Sequence, residues 1–198
     1  MIIHLNDYDM ALSRLFAKQS ALTQQHREFG EKTTPRSDGE TARDTLIGKM
    51  AEVAVANLIH DQFGLCAPVN FHVYPLNEAD DNDLSLKGWQ FDIKATRWGN
   101  WLLVEKSKTD KRVAQGTMAD VIIFCRTPWN RETDEPTDNS VEIVGCITKG
   151  ALMASRVIHA GEFIPGTHAI LTADNYAVPC KDLYDTVDSV DILRRNPK

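Results

Sequence analysis

Asn82-Asp83-Leu84-Ser85-Leu86-Lys87-Gly88-Trp89-Gln90-Phe91-Asp92-Ile93-Lys94-Ala95-Thr96 is the stretch on which the fold turns. It reads as two short strands joined at Lys87-Gly88, where the glycine supplies a positive-φ position that a two-residue hairpin turn needs. A turn there fixes the register: Leu86 faces Trp89, Ser85 faces Gln90, Leu84 faces Phe91, and Asp83 faces Asp92. Side chains alternate with period two. One face then carries Asp83, Ser85, Gln90, Asp92 and Lys94, and the other carries Leu84, Leu86, Trp89, Phe91 and Ile93.

Directly opposed side chains in such a pair have Cβ atoms about 5 Å apart. Two carboxylates at that separation share either a proton or a cation. A hard divalent metal with oxygen ligands suits them. Lys94 projects from the same face, where an ammonium can orient a water or stabilise developing charge. The residues alone leave two readings open, a metal-binding catalytic face or an ordinary amphipathic hairpin with its polar side in water.

Outward from the hairpin, the 198-residue chain is long enough for one domain with a full core. Its 42% apolar and 25% charged composition is ordinary for a globular protein. No apolar run approaches the roughly 20 residues of a membrane span. The start Met1-Ile2-Ile3-His4-Leu5 lacks the basic and apolar regions of a secretory signal. Cys66, Cys125, Cys146 and Cys180 form no Cys-x-x-Cys pair, which favours buried free thiols over disulfides or zinc, and a cytoplasmic location.

The net charge of −6 argues against coating nucleic acid by bulk charge. Yet Lys87, Lys94, Arg97, Lys106, Lys108, Lys111 and Arg112 face only Asp92, Glu105 and Asp110 in their stretch. This local positive excess beside the hairpin is either a solvated surface or a nucleic-acid-binding face, with Lys87, Arg97, Lys106, Lys108, Lys111 and Arg112 as candidates. Trp98 and Trp101 can stack on bases or pack in the core.

Helical spacing spans Tyr8 to Arg27, followed by a loop from Glu28 to Asp44. A second helix is expected from Thr45 to Phe63, capped by Asp44 and stopped by Gly64. It is apolar nearly all round, so it packs on more than one side. Glu52 is the one acid of its interior, Leu46–Ile59; it either serves a cation or pairs with Lys49 in water. Strands are expected at Phe71–Pro75, after which Glu78–Asn82 is an acidic loop, and then at Trp101–Val104, Asp120–Cys125, Val141–Thr148, His168–Thr172 and Tyr176–Val178. Lys106–Met118 is polar with room for a short helix, and Thr127–Ser140 reads as an exposed loop. Lys149–Arg156 and Asp182–Arg195 read as helices.

Helix with Glu52, strand with Asp83, strand with Asp92-Ile93-Lys94, a third strand, a connection and the Val121–Cys125 strand make an order that resembles the PD-(D/E)XK nuclease superfamily. Phe91-Asp92-Ile93-Lys94-Ala95-Thr96 with Trp101-Leu102-Leu103-Val104 and Ala119-Asp120-Val121-Ile122 is similar to small nucleases of bacteria and phages. The resemblance implies an α/β fold with a restriction-endonuclease-like core, in which a helix, three antiparallel strands, a helix and a fourth strand build a central mixed sheet flanked by helices. It divides a single domain into an extension over 1–44, a catalytic core over 45–125 and a second extension over 126–198.

The resemblance also implies roles. Asp83, Asp92 and the Ile93 carbonyl would hold Mg²⁺ or Mn²⁺, with Glu52 completing the metal's ligands, and Lys94 would meet the scissile phosphate or the nucleophile. Catalytic candidates are thus Glu52, Asp83, Asp92 and Lys94, in an endonucleolytic deoxyribonuclease that acts on DNA, in some relatives as a homodimer. Gln115 is followed four residues on by Ala119, so the Gln-x-x-x-Tyr element of the exonuclease branch is missing. The alternatives are a catalytically silent nuclease-fold module that binds nucleic acid or protein, and a junction-resolving nuclease.

Overall fold

The computed structural model describes residues 1–23, 37–74 and 82–185. In chain order the elements begin with β1 (Ile2–His4), α1 (Asp7–Thr23), α2 (Asp38–Phe63), β2 (Leu84–Leu86), β3 (Trp89–Thr96) and β4 (Trp101–Glu105). There follow α3 (Lys106–Gln115), β5 (Val121–Arg126), β6 (Trp129–Asn130), β7 (Glu135–Pro136), β8 (Ser140–Thr148), α4 (Lys149–Met153), β9 (Arg156–Ile158) and β10 (Asn175–Pro179).

The hairpin adopts three of the four pairs read from its turn, Leu84 with Phe91, Ser85 with Gln90 and Leu86 with Trp89, but β2 starts at Leu84, so Asp83 does not pair with Asp92. Lys87 and Gly88 both have positive φ, 49° and 83°. That is the twist-matched turn which lets two strands stay paired. Beyond the hairpin, β3 takes β5 as a parallel partner on its other edge, with Asp92 beside Ile122 and Lys94 beside Phe124. A five-stranded mixed sheet results, in the order β1-β8-β5-β3-β2. β5 is its centre, and Val121 to Cys125 are all buried, as the β-rich run predicts.

β5 pairs one edge of β3 along Phe91–Thr96, β2 pairs the other as far as Phe91, and β4 joins neither. The expected third antiparallel strand is therefore not part of this sheet. β4 pairs with β10 in a second, three-stranded sheet of order β4-β10-β9. Thr96-to-Trp101 makes the change of direction through Gly99, whose φ of 127° suits only glycine.

Each face of the large sheet covers its own core. Phe91, Ile93, Val121, Ile123 and Cys125 point to one side, where α1 and α2 supply Met10, Ala17, Met50, Val53 and Ala54. Ile122, Phe124 and Ile147 point to the other and meet Leu102, Val104, Leu152, Tyr176 and Val178 of the small sheet and α4. The protein is thus mixed α/β, with a mixed sheet flanked by helices. Segments read as extensions are built into it: β1 pairs β8 at the sheet's far edge.

α2 starts earlier than the sequence reading placed it. Ser37, not Asp44, is the N-cap: its hydroxyl accepts the Glu40 N–H and the Glu40 side chain accepts the Ser37 N–H, a complete capping box. Gly64 ends the helix as expected, in the left-handed conformation at φ 63°. Phe71–Tyr74 is not a strand; Phe71 instead packs edge-on against Phe16, with ring centroids 5.9 Å apart. The Thr127–Ser140 loop is less exposed than its composition suggests, because Thr127 and Trp129 are buried and β6 and β7 pair within it. α4 stops at Met153, since Arg156 begins β9. Of His168–Thr172, only Ile170 makes a β-bridge, with Phe163.

Gly145 is required by a close approach. A Cβ there would lie 2.6 Å from the Tyr184 carbonyl oxygen, because Tyr184 exchanges backbone hydrogen bonds with Cys146. The expected closing helix does not start at Asp182, which ends a short 3-10 turn over Cys180–Asp182; Tyr184 instead bridges Cys146, and residues 186–195 lie outside the described residues. So do 24–27 of the first helix, 28–36 of the loop after it, Pro75, and 78–81 of the acidic loop. Among the described residues no helix is long and apolar enough to cross a membrane. All four cysteines are free; Cys125 and Cys146 are buried, whereas Cys66 is exposed.

Candidate functional site

β2 begins only at Leu84 while β3 runs on to Thr96, so among the described residues the outer edge of β3 has no strand partner beyond Phe91. Asp83 occupies that opening. Its N–H donates to the Phe91 carbonyl at 3.1 Å, and its Oδ2 accepts the Ile93 N–H at 2.5 Å. The carboxylate therefore lies near the plane of the sheet, at the strand's open edge. N–H and C=O of one strand residue point the same way, so the Ile93 carbonyl faces this edge too.

Asp92 stands on the α3 side of the sheet and is 4% exposed. Burial of a carboxylate demands partners. The Lys94 ammonium lies 2.8 Å from one of its oxygens and 2.9 Å from the other. The Arg112 guanidinium reaches it from α3 at 3.4 Å. Arg112 also donates to the Asn82 side chain at 2.8 Å and to the Thr117 carbonyl at 3.2 Å. One guanidinium thus spans both arms of the hairpin.

Asp83 feels Asp92. Burial raises the Asp83 pKa above the ordinary carboxylate value, and the negative charge of Asp92 raises it further. The Ile93 N–H and the ammonium groups of Lys94 and Lys49 only partly oppose this. Ser85 and Gln90 bond to each other on the polar side of the hairpin, nearer the turn.

Glu52 lies on α2 and is held by Lys49 at 2.5 Å. The pair does not face water: Lys49 is 6% exposed, bonds the Asn70 carbonyl at 2.8 Å and sits 4.4 Å above the Phe16 ring. Among the described residues no group of three or more His, Cys, Asp or Glu side chains is gathered to hold a metal. The structure brings Lys94 and Arg112 onto Asp92 and the Ile93 N–H onto Asp83, while Glu52 bonds Lys49, whose charge is also felt at Asp83.

The basic run does not make an unbroken positive face. Lys106 pairs with Asp110, Lys108 with Glu105 at 2.6 Å, and Arg97 approaches Asp134 at 3.9 Å. Lys87, at the hairpin turn, and Lys111 are exposed. Trp98 is 40% exposed with the Arg131 guanidinium 4.2 Å from its ring centre, whereas Trp101 donates its indole N–H to the Pro165 carbonyl.

Sequence reasoning missed Lys49 as a buried anchor and Arg112 as a partner of Asp92. The signal for Arg112 was its spacing from Thr109, a buried residue three positions earlier on a polar helix. The fold and this cluster define an α/β protein with a charged site at a sheet edge. No protein-family model matches the chain, and no curated protein or solved structure matches it.

Proposed function

We propose that this protein is a metal-dependent deoxyribonuclease of the PD-(D/E)XK kind, with a restriction-endonuclease-like core, cutting DNA endonucleolytically. The observation that carries the reading is that the Asp83 carboxylate, at the edge of β3 and bonded to the Ile93 N–H, feels the negative charge of Asp92, which Lys94 contacts at 2.8 Å. A divalent cation relieves such a pair, and two carboxylates with the outward carbonyl of Ile93 are oxygen donors of the sort Mg²⁺ accepts while keeping waters. The donor set fits: Asp83, Asp92 and Ile93 would hold Mg²⁺ or Mn²⁺. Bound there, the ion supplies an acidified water and positive charge against the phosphate.

The chain's own groups do the rest. Lys94, 38% exposed at its side chain, is able to turn from Asp92 toward an incoming phosphate oxygen. Its charge then opposes the negative charge that grows as water adds to phosphorus and the P–O bond to the leaving oxygen breaks. The Ile93 N–H holds the Asp83 carboxylate in place. Lys49 fixes Glu52 on the α2 side, from which the acid can accept a proton or orient water at the same edge.

A second reading has its own observation. Asp92 already carries two cations and Glu52 carries one, so the charges are balanced within the protein. This favours a nuclease-fold module that binds nucleic acid or protein without cutting it. One experiment separates the two: purified protein incubated with supercoiled, linear, single-stranded and branched DNA, and with RNA, in Mg²⁺, in Mn²⁺ and in EDTA. The proposal expects nicked or cut DNA with metal and intact DNA in EDTA. Binding without cutting in every metal would support the silent module, and cutting confined to branched DNA would mark a junction-resolving enzyme.

A further inference from the structure

Asp92 forms a floor at 6% side-chain exposure, while the two cations upon it, Lys94 and Arg112, are 38% and 27% exposed. An anion arriving from solvent therefore meets the cations before it meets the acid. Lys94 comes from β3 and Arg112 from α3, so the pair converges from two elements onto one point. Arg112 is anchored as well as charged, through Asn82 and the Thr117 carbonyl. Its Nη2 holds Asn82 and Thr117, and its Nη1 meets Asp92 at 3.4 Å, the long contact that a phosphate oxygen would take over.

We infer that Arg112 is a further catalytic residue, which receives the scissile phosphate together with Lys94; this rests on the nuclease reading above. In the ligand-free protein Asp92 keeps both cations neutralised. A phosphate that displaces Asp92 from them gains two charge-assisted bonds. A divalent cation held by Asp92 would compete with the same two groups for its charge, so metal and DNA would strengthen each other's binding.

The test is binding, without cutting, of a short fluorescent DNA duplex, read by anisotropy in EDTA and in Ca²⁺ over a range of salt. Arg112→Gln should weaken binding about tenfold, the loss of one charge-assisted contact. It should also lower the slope of log affinity against log salt by about 0.9, as one fewer phosphate is neutralised. Arg112→Lys should recover that slope, because a point charge suffices for it. Asp92→Asn should tighten binding in EDTA, because it frees both cations, and should abolish the gain from Ca²⁺. Unchanged affinity and slope in Arg112→Gln, with cutting intact, would overturn the inference and leave the nuclease reading standing. A wild-type protein that neither binds nor cuts DNA would overturn both. If Arg112→Gln fails to fold, the double variant Asp92→Asn/Lys94→Gln decides: EDTA binding no tighter than that of Lys94→Gln alone refutes a part for Arg112.

Discussion

Replacing each of the paired acids by its amide should shift stability in opposite directions. Asp92 is buried and bonded to both Lys94 and Arg112, so Asp92→Asn strips two cations of their acceptor charge. A charge-assisted bond contributes about 1.5–3 kcal/mol. Here Lys94 is more than a third exposed and Arg112 is 3.4 Å away, so solvent screening reduces the sum to about 2 kcal/mol. For a chain of this size that lowers the melting temperature by roughly 4–8 °C. Asp83 is the reverse case. Its folded-state pKa is raised by burial and by Asp92, so the native state holds a proton that the unfolded chain has lost across the window between the ordinary carboxylate pKa and the raised one. Stability falls as pH rises through that window, and the full cost is present above it. Asp83→Asn keeps an oxygen for the Ile93 N–H and removes the charge. It should melt above wild type at pH 8 in EDTA, with the gain shrinking toward pH 4. Thermal melts of the three proteins across pH, without metal, provide the measurement. A melting point for Asp83→Asn below wild type at pH 8, or for Asp92→Asn equal to wild type, would refute the assignment of charges to the site.

Three other substitutions probe what holds the site in place. Lys49→Met keeps the packing between Phe16 and Phe71 but loses the buried pair with Glu52, and denaturant melts should show a loss of about 3 kcal/mol. Ser37→Ala breaks the capping box of α2 and should cost about 1 kcal/mol, with hydrogen exchange rising over the first turn of the helix and not over its centre. Gly145→Ala places a methyl 2.6 Å from the Tyr184 carbonyl; it should cost about 1–3 kcal/mol and speed proteolysis around Leu183 and Tyr184.

The hairpin was legible because its register follows from one turn and its two faces from alternation, both local facts. The buried β5 and the Gly64 stop were legible for the same reason. The partner of β4 was not. Nothing in Trp101–Glu105 says that it pairs with β10, which comes far later in the chain, at Asn175–Pro179. The start of α2 lay in a segment rich in Gly, Thr and charge, where composition suggested a loop while the reciprocal bonds of Ser37 and Glu40 made a cap. Within the site, sequence alternation placed Asp83 on the same face as Asp92. In the fold the Asp83 carboxylate turns into the strand's open edge, because the Ile93 N–H there needs an acceptor. Glu52 and Arg112 could not be placed from the chain alone, since each is positioned by a partner far from the hairpin in sequence or on another element.

The claim on which the rest depends is that Asp92 and Lys94 are chemical groups and not only structural ones. Initial rates of supercoiled-plasmid nicking in Mg²⁺ and Mn²⁺, for wild type, Asp92→Ala and Lys94→Ala at temperatures where all three remain folded, address it most directly. The account predicts metal-dependent nicking by wild type, silenced by EDTA, and a fall of about 10²–10³-fold or more in each variant. Nicking at the wild-type rate by either folded variant, or none by wild type in either metal, would contradict it.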